Sequence, residues 1–373
     1  MNKQKPQQCI GIDNGSKQIK MYTMPIDEDG QLGAPIMSVT PSSAAAGFIS
    51  SVSLEPESGD RDSYLTMSDG DLLMPYHVNS EKPENTTAQE YQYSEINRVL
   101  VHDILAKSGH GYEQCQVRAC VGLPMLYYYN QEFEVVEPLV QKVKKNIMTD
   151  VYLPSGFERD TGKMLVNTKP VVDMHSADVF AETVAAWIDD RMVFNDEGRL
   201  TYNPEIVKQR RLYIDIGGNT TDILLTNRDK IDRCSRSLMA GGIHLINDVT
   251  NMIASKTATA ANCIPIDKVN KVLHGEGYSY RGQMIDFAKD VTEVKSRFFS
   301  RLWSEIYNVI PQQTLNSLDA ITFVGGTSEE YLDEILATSS VDGFAKLHPE
   351  PVFVNARAFF KRAYVSYKKE MGK

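Results

Sequence analysis

The chain has 373 residues, 42% hydrophobic and 24% charged, with a net charge of −10. That length suffices for two domains with real cores, and the acidic balance argues against a surface that coats nucleic acid, leaving only a local basic patch open. Its five cysteines, Cys9, Cys115, Cys120, Cys234 and Cys263, form no C-x-x-C pair, so zinc is not expected and the odd count suits a reducing cytoplasm. The first residues, MNKQKPQQ, are polar and no apolar run reaches membrane-spanning length, so neither a signal peptide nor a membrane helix is expected.

In chain order, residues 9–24 read as a hairpin with Gly15-Ser16 at its turn. Residues 25–90 are rich in Gly, Pro, Ser and Asp, with solvated loops at Glu55–Asp62 and Glu81–Thr87, and suggest a small variable subdomain. From Glu90 to Ser108 the period is helical, with Tyr93, Ile96, Val99, Leu100, Ile104 and Leu105 on one face. Val117–Leu123 reads as a buried strand and Glu132–Ile147 as a helix. A strand at Val171–Met174 leads to a helix over Glu182–Met192.

The second half opens with a second hairpin, Arg211–Leu225. A helix over Leu245–Ala254, a mixed segment to Gly282 and a long helix from Ile285 to Val309 follow. Ala320–Val324 reads as a strand running into Gly325-Gly326-Thr327, with helices over Glu329–Leu336 and Val354–Lys369. Strands alternating with helices predict an α/β fold. The two hairpins suggest a duplicated unit.

The hairpin turns carry the chemistry. One reads IGIDNGSKQIK from Ile10, the other RLYIDIGGNTTDILL from Arg211, about two hundred residues later. In each, an apolar strand ends in Asp, then come Gly and small polar residues, then another apolar strand. Glycine permits a sharp turn and a close ligand approach, and backbone N–H groups with hydroxyls cradle phosphate oxygens. A carboxylate beside a phosphate is repelled unless a cation lies between, so Asp13 and Asp215 read as Mg²⁺-side residues, acting through water. Together the turns suggest a nucleotide clamped between two similar domains.

These residues resemble the actin/Hsp70/sugar-kinase ATPase superfamily. DNGS with Lys20 seven positions after Asp13 is similar to the first phosphate loop of actins, and DIGGNTTD to the second loop of Hsp70 and bacterial actins. ITFVGGTSEEYLDEI from Ile321 resembles the adenosine motif. Within the superfamily, CVGLPMLYYYNQ from Cys120 and VFAETVAA from Val179 look like the ParM-type plasmid-segregating actins, as does PVFVNARAF from Pro351, with Ala358 where Gly is usual. Asn219 stands where Hsp70 has a third Gly.

The resemblance implies an actin-like (ribonuclease H-like) α/β fold of two similar domains around a nucleotide cleft. Domain I is expected over 1–175, with the variable subdomain at about 30–90 and the helix of 350–373 packing back on it, and domain II over 176–349. It implies catalytic roles for Glu182, which orients the attacking water, and for Asp13 and Asp215. Nucleotide contacts fall to Gly15, Ser16, Lys20, Gly217, Gly218, Asn219, Thr220, Gly241, Gly242, Gly325, Gly326 and Thr327. Glu293, Lys295 and Arg297 lie where the superfamily often contacts purine and ribose. The cofactors implied are Mg²⁺ and ATP, with GTP as the alternative. The expected protein is a cytoplasmic ATPase that polymerises head-to-tail with itself, and a DNA-binding adaptor of ParR type would link it to a plasmid without direct nucleic-acid or membrane contact. The rival readings are a non-polymerising Hsp70-like or sugar-kinase-like enzyme, using Asp173 or Asp178, and a chromosomal scaffold. The chain stops where an Hsp70 begins its peptide-binding domain, which counts against a chaperone.

Several features read as structural. His175 and His244 suit packing, Lys142, Lys144 and Lys145 a solvated helix face, and Tyr127–Tyr129 packing between domains. GFERDTGK from Gly156 imitates a P-loop, but its spacing is one residue too long and Met164 replaces the hydroxyl residue.

Overall fold

Asp13 and Lys20 face each other across a hairpin whose strands sit at the heart of the first of two compact units, Met1–Pro204 with Phe353–Lys373; the second unit is Glu205–Val352. The computed structural model describes residues 5–27, 29–47, 62–68, 72–80, 83–157, 164–195, 197–339, 341 and 344–372. Most of Glu55–Asp62, part of Glu81–Thr87 and most of the P-loop-like Gly156–Lys163 lie outside the described residues.

The first unit contains β1 (Gln7–Asn14), β2 (Gln18–Thr23), β3 (Ile36–Pro41), β4 (Ala44–Ala46), β5 (Ser63–Ser68), β6 (Leu72–Val78), α1 (Glu95–Lys107), β7 (Gln116–Leu123), α2 (Glu137–Met148), β8 (Val151–Tyr152), β9 (Asp173–Ala181) and α3 (Val184–Arg191). Its main sheet has the order β9-β7-β1-β2-β3, with β1–β2 and β2–β3 antiparallel and β7 and β9 parallel additions. A second sheet, β4-β6-β5-β8, takes most of the expected variable stretch but borrows β8 from much later in the chain. Helix α1 is capped by the Ser94 hydroxyl, which accepts from Asn97 N at 3.2 Å, and buries the expected apolar face. Helix α2 begins at Glu137, not Glu132: Phe133 has φ +66, and the Asn130 side chain accepts from Glu134 N, so a turn occupies that stretch.

Residues 176–204, placed beyond the domain boundary from sequence, pack within this first unit. Strand β9 pairs with β7 from Asp173↔Gln116 to Ala181↔Leu123, with one register shift between Met174 and Ser176, and so carries the chain past the expected boundary within one sheet. The Tyr127–Tyr129 run also has its contacts here, with Tyr128 edge-on to Phe180 and Tyr129 stacked on Phe133.

The final helix, Val354–Glu370, closes this unit. It crosses β1 so closely that a Cβ on Gly11 would collide with the backbone of Ala356 and Phe360. Phe359 and Phe360 are fully buried beside Cys9, Cys120 and Ala185, each stabilising by about 1.5–3 kcal/mol. Asp189, at the far end of α3, receives Arg357 at 2.6 Å and Lys361 at 2.5 Å from the same helix. Cys9, Cys115 and Cys120 are buried core fillers with no disulfide.

The second unit contains β10 (Arg210–Ile216), β11 (Thr221–Asn227), β12 (Lys230–Ile231), β13 (Arg236–Leu238), α4 (Gly242–Thr257), α5 (Ala288–Val309), β14 (Ala320–Val324), α6 (Gly326–Glu330) and β15 (Ala345–Leu347). Its sheet order, β12-β11-β10-β14-β15 with β13 also on β11, repeats the first: a central hairpin, then two parallel strands beside its first arm. Phe298, Phe299, Leu302 and Trp303 of α5 fill a core of branched residues from β10, β11 and β14. The same topology in both units is the structural form of the duplication that the two hairpins suggested.

Candidate functional site

In the first unit, the turn after β1 is tied down by its carbonyls. Gly15 O accepts from the Ser42 hydroxyl at 2.6 Å and from Tyr91 OH at 3.4 Å; Ser16 O accepts from the Thr86 hydroxyl at 2.6 Å; Lys17 O accepts from Ser42 N at 3.0 Å. A trans peptide holds its C=O and the following N–H in opposite directions. The N–H groups of Ser16, Lys17 and Gln18 therefore point away from the anchoring side chains. Beneath the turn, the buried Asn14 amide donates to Gln92 Oε1 at 3.2 Å and Asn97 Oδ1 at 3.3 Å.

Asp13 is 5% exposed at the end of β1, and its cross-strand neighbour Lys20 reaches it at 2.9 Å. Glu182 lies one residue beyond β9, before α3 rather than in its first turn. Tyr91 feels the charge of both carboxylates. Burial pushes its phenol up to about 12, bonds to Ser42 and Asn97 oppose this, and the charges of Asp13 and Glu182 both add to the rise. Asp13, Gly15, Ser16 and Lys20 are thus brought together at the first turn, and Glu182 is near enough for its charge to act on the same tyrosine as Asp13. Asp178 and Asp173 are engaged elsewhere, with Arg362 at 2.8 Å and Lys5 at 3.0 Å.

The second unit repeats the device with different anchors. Gly217 O accepts from Gly242 N at 3.0 Å and from the Thr327 hydroxyl at 3.2 Å, and Gly218 O accepts from Ile243 N at 2.7 Å. By the same planarity, the N–H groups of Gly218 and Asn219 turn away from the start of α4. Gly217 N closes the turn on Thr220 O at 3.0 Å. A Cβ on Gly241 would stand 2.6 Å from Gly218 O, and one on Gly242 2.7 Å from the Thr327 hydroxyl, so both glycines let the helix start abut the turn.

Gly325 has φ +88, and a Cβ there would strike Asp215 Oδ1 and come within 2.8 Å of Ile216 O. Its neighbour Gly326 faces open space, so of that pair it is Gly325 that must be glycine. Gly217, Gly218, Asn219, Thr220, Gly241, Gly242, Gly325 and Thr327 thus form one cluster around Asp215, which is 8% exposed. Lys295, from the outlying trio, pairs with Glu334 at 3.0 Å. Arg297 lines a cavity of about 340 Å³ with Asp248, Asn251, Met252, Val294 and Arg301.

Sequence reasoning missed the anchors Ser42, Thr86 and Tyr91, which lie in poorly patterned stretches. It also missed Asp222, 2% exposed and directly opposite Asp215. That residue had a legible signal: it follows Asp215 by the same seven positions that separate Lys20 from Asp13.

Residues 9–170 match the family model for the N-terminal part of plasmid segregation protein ParM, and residues 213–336 that for the C-terminal part of the archaeal actin homologue MreB-like proteins. The chain has an actin-like fold whose N-terminal part matches the ParM family model. A 15-stranded ParM filament from Clostridium botulinum matches the chain at TM-score 0.68 and 17% identity, over 96% of this chain and 99% of that one. An archaeal actin homologue in complex with ADP matches at TM-score 0.63 and 17% identity, over 96% and 99%. Bacillus thuringiensis ParM with ATP matches at 0.61 and 11%, over 97% and 100%. At these identities the likeness carries the fold, which is actin-like. No curated protein matches the chain in sequence. Among the described residues, no helix is long and apolar enough to cross a membrane.

Proposed function

We propose that this ParM-type chain binds MgATP through both turns, polymerises head-to-tail when ATP-bound, and hydrolyses ATP with Glu182 orienting the water. The observation that carries the reading is the repeated device: two turns, each with an aspartate at its lip, tethered carbonyls and N–H groups directed the other way. Such amides suit phosphate oxygens. The filament and nucleotide in the reading draw support from the relatives seen as a filament, with ATP and with ADP.

The residues fit a magnesium ion held mainly by water and phosphate. Asp13 and Asp215 are hard oxygen donors, and among the described residues no three His, Cys, Asp or Glu side chains converge to cage a metal alone. Bound Mg²⁺ would offset phosphate charge in the transition state. Lys20, held at the turn by Asp13, offers its ammonium to a phosphate oxygen. Gly325, with no side chain, leaves the Asp215 carboxylate room and lets a base or ribose approach the backbone. Glu182 accepts a hydrogen bond from the attacking water, and its carboxylate needs only to lie one water from the γ-phosphate.

Head-to-tail contacts are heterologous and propagate without closing, as a filament requires. Hydrolysis would then destabilise the polymer. In the cytoplasm, a DNA-binding adaptor of ParR type would cap the filament and join it to a plasmid, so this chain would not touch DNA itself. ATP is the expected nucleotide ahead of GTP.

Light scattering with parallel phosphate release, after MgATP is added to the purified protein, tests this reading. A rise in scattering followed by decay as phosphate appears is expected. Phosphate transfer to a sugar with no scattering at any protein concentration would move the assignment to a metabolic kinase.

A further inference from the structure

Strands β1, β7 and β9 run parallel and in register, with Gly11↔Cys120↔Asp178 in one row. Side chains alternate faces with period two, so Gly11 and Asp13, Cys120 and Gly122, and Asp178 and Phe180 share one face. At the carboxyl ends of these strands, Gly122 is the residue between the strand of Asp13 and the strand that leads to Glu182. The space over Gly122 is taken: a Cβ there would stand 2.9 Å from Glu182 Oε1 and 3.0 Å from the Phe359 ring. The Glu182 side chain folds back over a position that has none.

The backbone that aims it is unusual. Thr183 has φ +61 and ψ −44, and Val184 N donates to Glu182 O at 2.6 Å. That is a γ-turn of the strained, positive-φ hand, centred on a β-branched residue that is fully buried. Both ends are fixed. Glu182 N donates to Leu123 O at 3.0 Å, and the last turn of α3 is gripped through Asp189 by Arg357 and Lys361. Backbone strain of this kind persists only where the surroundings over-determine it.

We propose that Gly122 and the Thr183 turn are positioning elements for Glu182. The turn lifts it out of β9, and Gly122 supplies the gap into which its carboxylate folds on the face that carries Asp13. This rests on the reading that Glu182 orients the attacking water. Neither residue touches the nucleotide in that reading; each acts through Glu182.

The test is a double-mutant cycle on the full chain: wild type, Gly122→Ala, Glu182→Gln and the double variant, each with kcat, KM for MgATP and thermal midpoint. An alanine at 122 meets the Glu182 carboxylate first and the buried Phe359 ring next, so a small drop in midpoint is expected beside a larger loss of rate. Its kcat should fall by about 10–100-fold with KM within about two-fold, and it should add almost nothing to Glu182→Gln. If Glu182→Gln hydrolyses like wild type, the water-orienting reading falls and the positioning role with it. If Glu182→Gln is slow but Gly122→Ala is fast, or slows both backgrounds equally, the positioning role alone is overturned. Thr183→Gly, which frees the backbone from the turn, goes through the same cycle and carries the test should Gly122→Ala not fold. An unchanged kcat for Thr183→Gly removes the turn from the proposal.

Discussion

The two turns share a backbone device and differ in the charge that faces the aspartate. In the first, the buried Asp13 looks across the hairpin at the half-buried Lys20, a pair of opposite sign at 2.9 Å. In the second, Asp215 looks at Asp222, and both carboxylates are nearly inaccessible. Like charges directly opposite in a sheet are destabilising. The first turn therefore sets a cation across from its aspartate, while the second sets a carboxylate there. A duplicated scaffold has come to present one basic and one acidic grip.

Substituting the two aspartates should break that comparison most visibly. Asp215→Asn and Asp13→Asn are each expected to lower kcat/KM for MgATP by about 10³-fold, a loss of roughly 4 kcal/mol. Without nucleotide their stabilities should diverge: Asp215→Asn removes one of two facing carboxylates and raises the thermal midpoint, whereas Asp13→Asn removes the ion pair of a half-buried lysine and lowers it. Midpoints that move together would show that the facing charges do not matter.

The units should also part in acid. His102, fully buried in α1, donates Nε2–H to Ile147 O at 3.0 Å. Burial pushes its imidazole down to about 4, the nearby Arg98 charge adds to this, and the Ile147 bond and Asp150 oppose it. Because the folded value lies below the ordinary 6.5, the unfolded chain takes the proton first. The stability is present above about pH 6.5 and is lost as pH falls towards 4, up to about 3 kcal/mol. The raised pKa of Asp103 acts in the other direction, so the measurement is the difference in denaturant midpoint between wild type and His102→Gln across that range. A constant difference would rule the histidine out.

Smaller changes sharpen the assignment of grips. Asp222→Asn is expected to raise the Mg²⁺ concentration for half-maximal hydrolysis about tenfold, with Lys20→Gln instead raising KM for the nucleotide by a similar factor. Mg²⁺ and nucleotide titrations of the two variants separate these outcomes. Least of all, Ser42→Ala and Thr327→Val each remove one hydroxyl bond to a turn carbonyl and should cost about 1 kcal/mol by thermal unfolding. A loss in only one of them would show that the tethering is not shared.

The elements legible in the sequence were those with a strong period or a turn: both hairpins, α1, α5 and β14 fell close to where their apolar spacing put them. The start of α2 did not, because Asn130 and Phe133 form a turn that periodicity cannot register. The helix expected from Glu182 begins at Val184, since a strained residue interrupts strand and helix alike and leaves no compositional mark. Site residues within the Gly/Asp turns could be named because the chemistry is concentrated in a few adjacent positions. Ser42, Thr86 and Tyr91 reach the first turn only through tertiary structure. Asp222 was visible as a spacing, yet its meaning depends on knowing that the position faces Asp215.

The close passage of the final helix over Gly11 gives synthesis an awkward order. Strand β1 carries a bare glycine against which the helix Val354–Glu370 fits, and the whole second unit is translated in between. Until Phe359 and Phe360 emerge, the apolar cluster around Cys9 and Cys120 lacks its largest fully buried side chains. The usual N-terminal-first sequence of domain folding is therefore inverted: the second unit has all its own pieces before the first receives its helix Val354–Glu370.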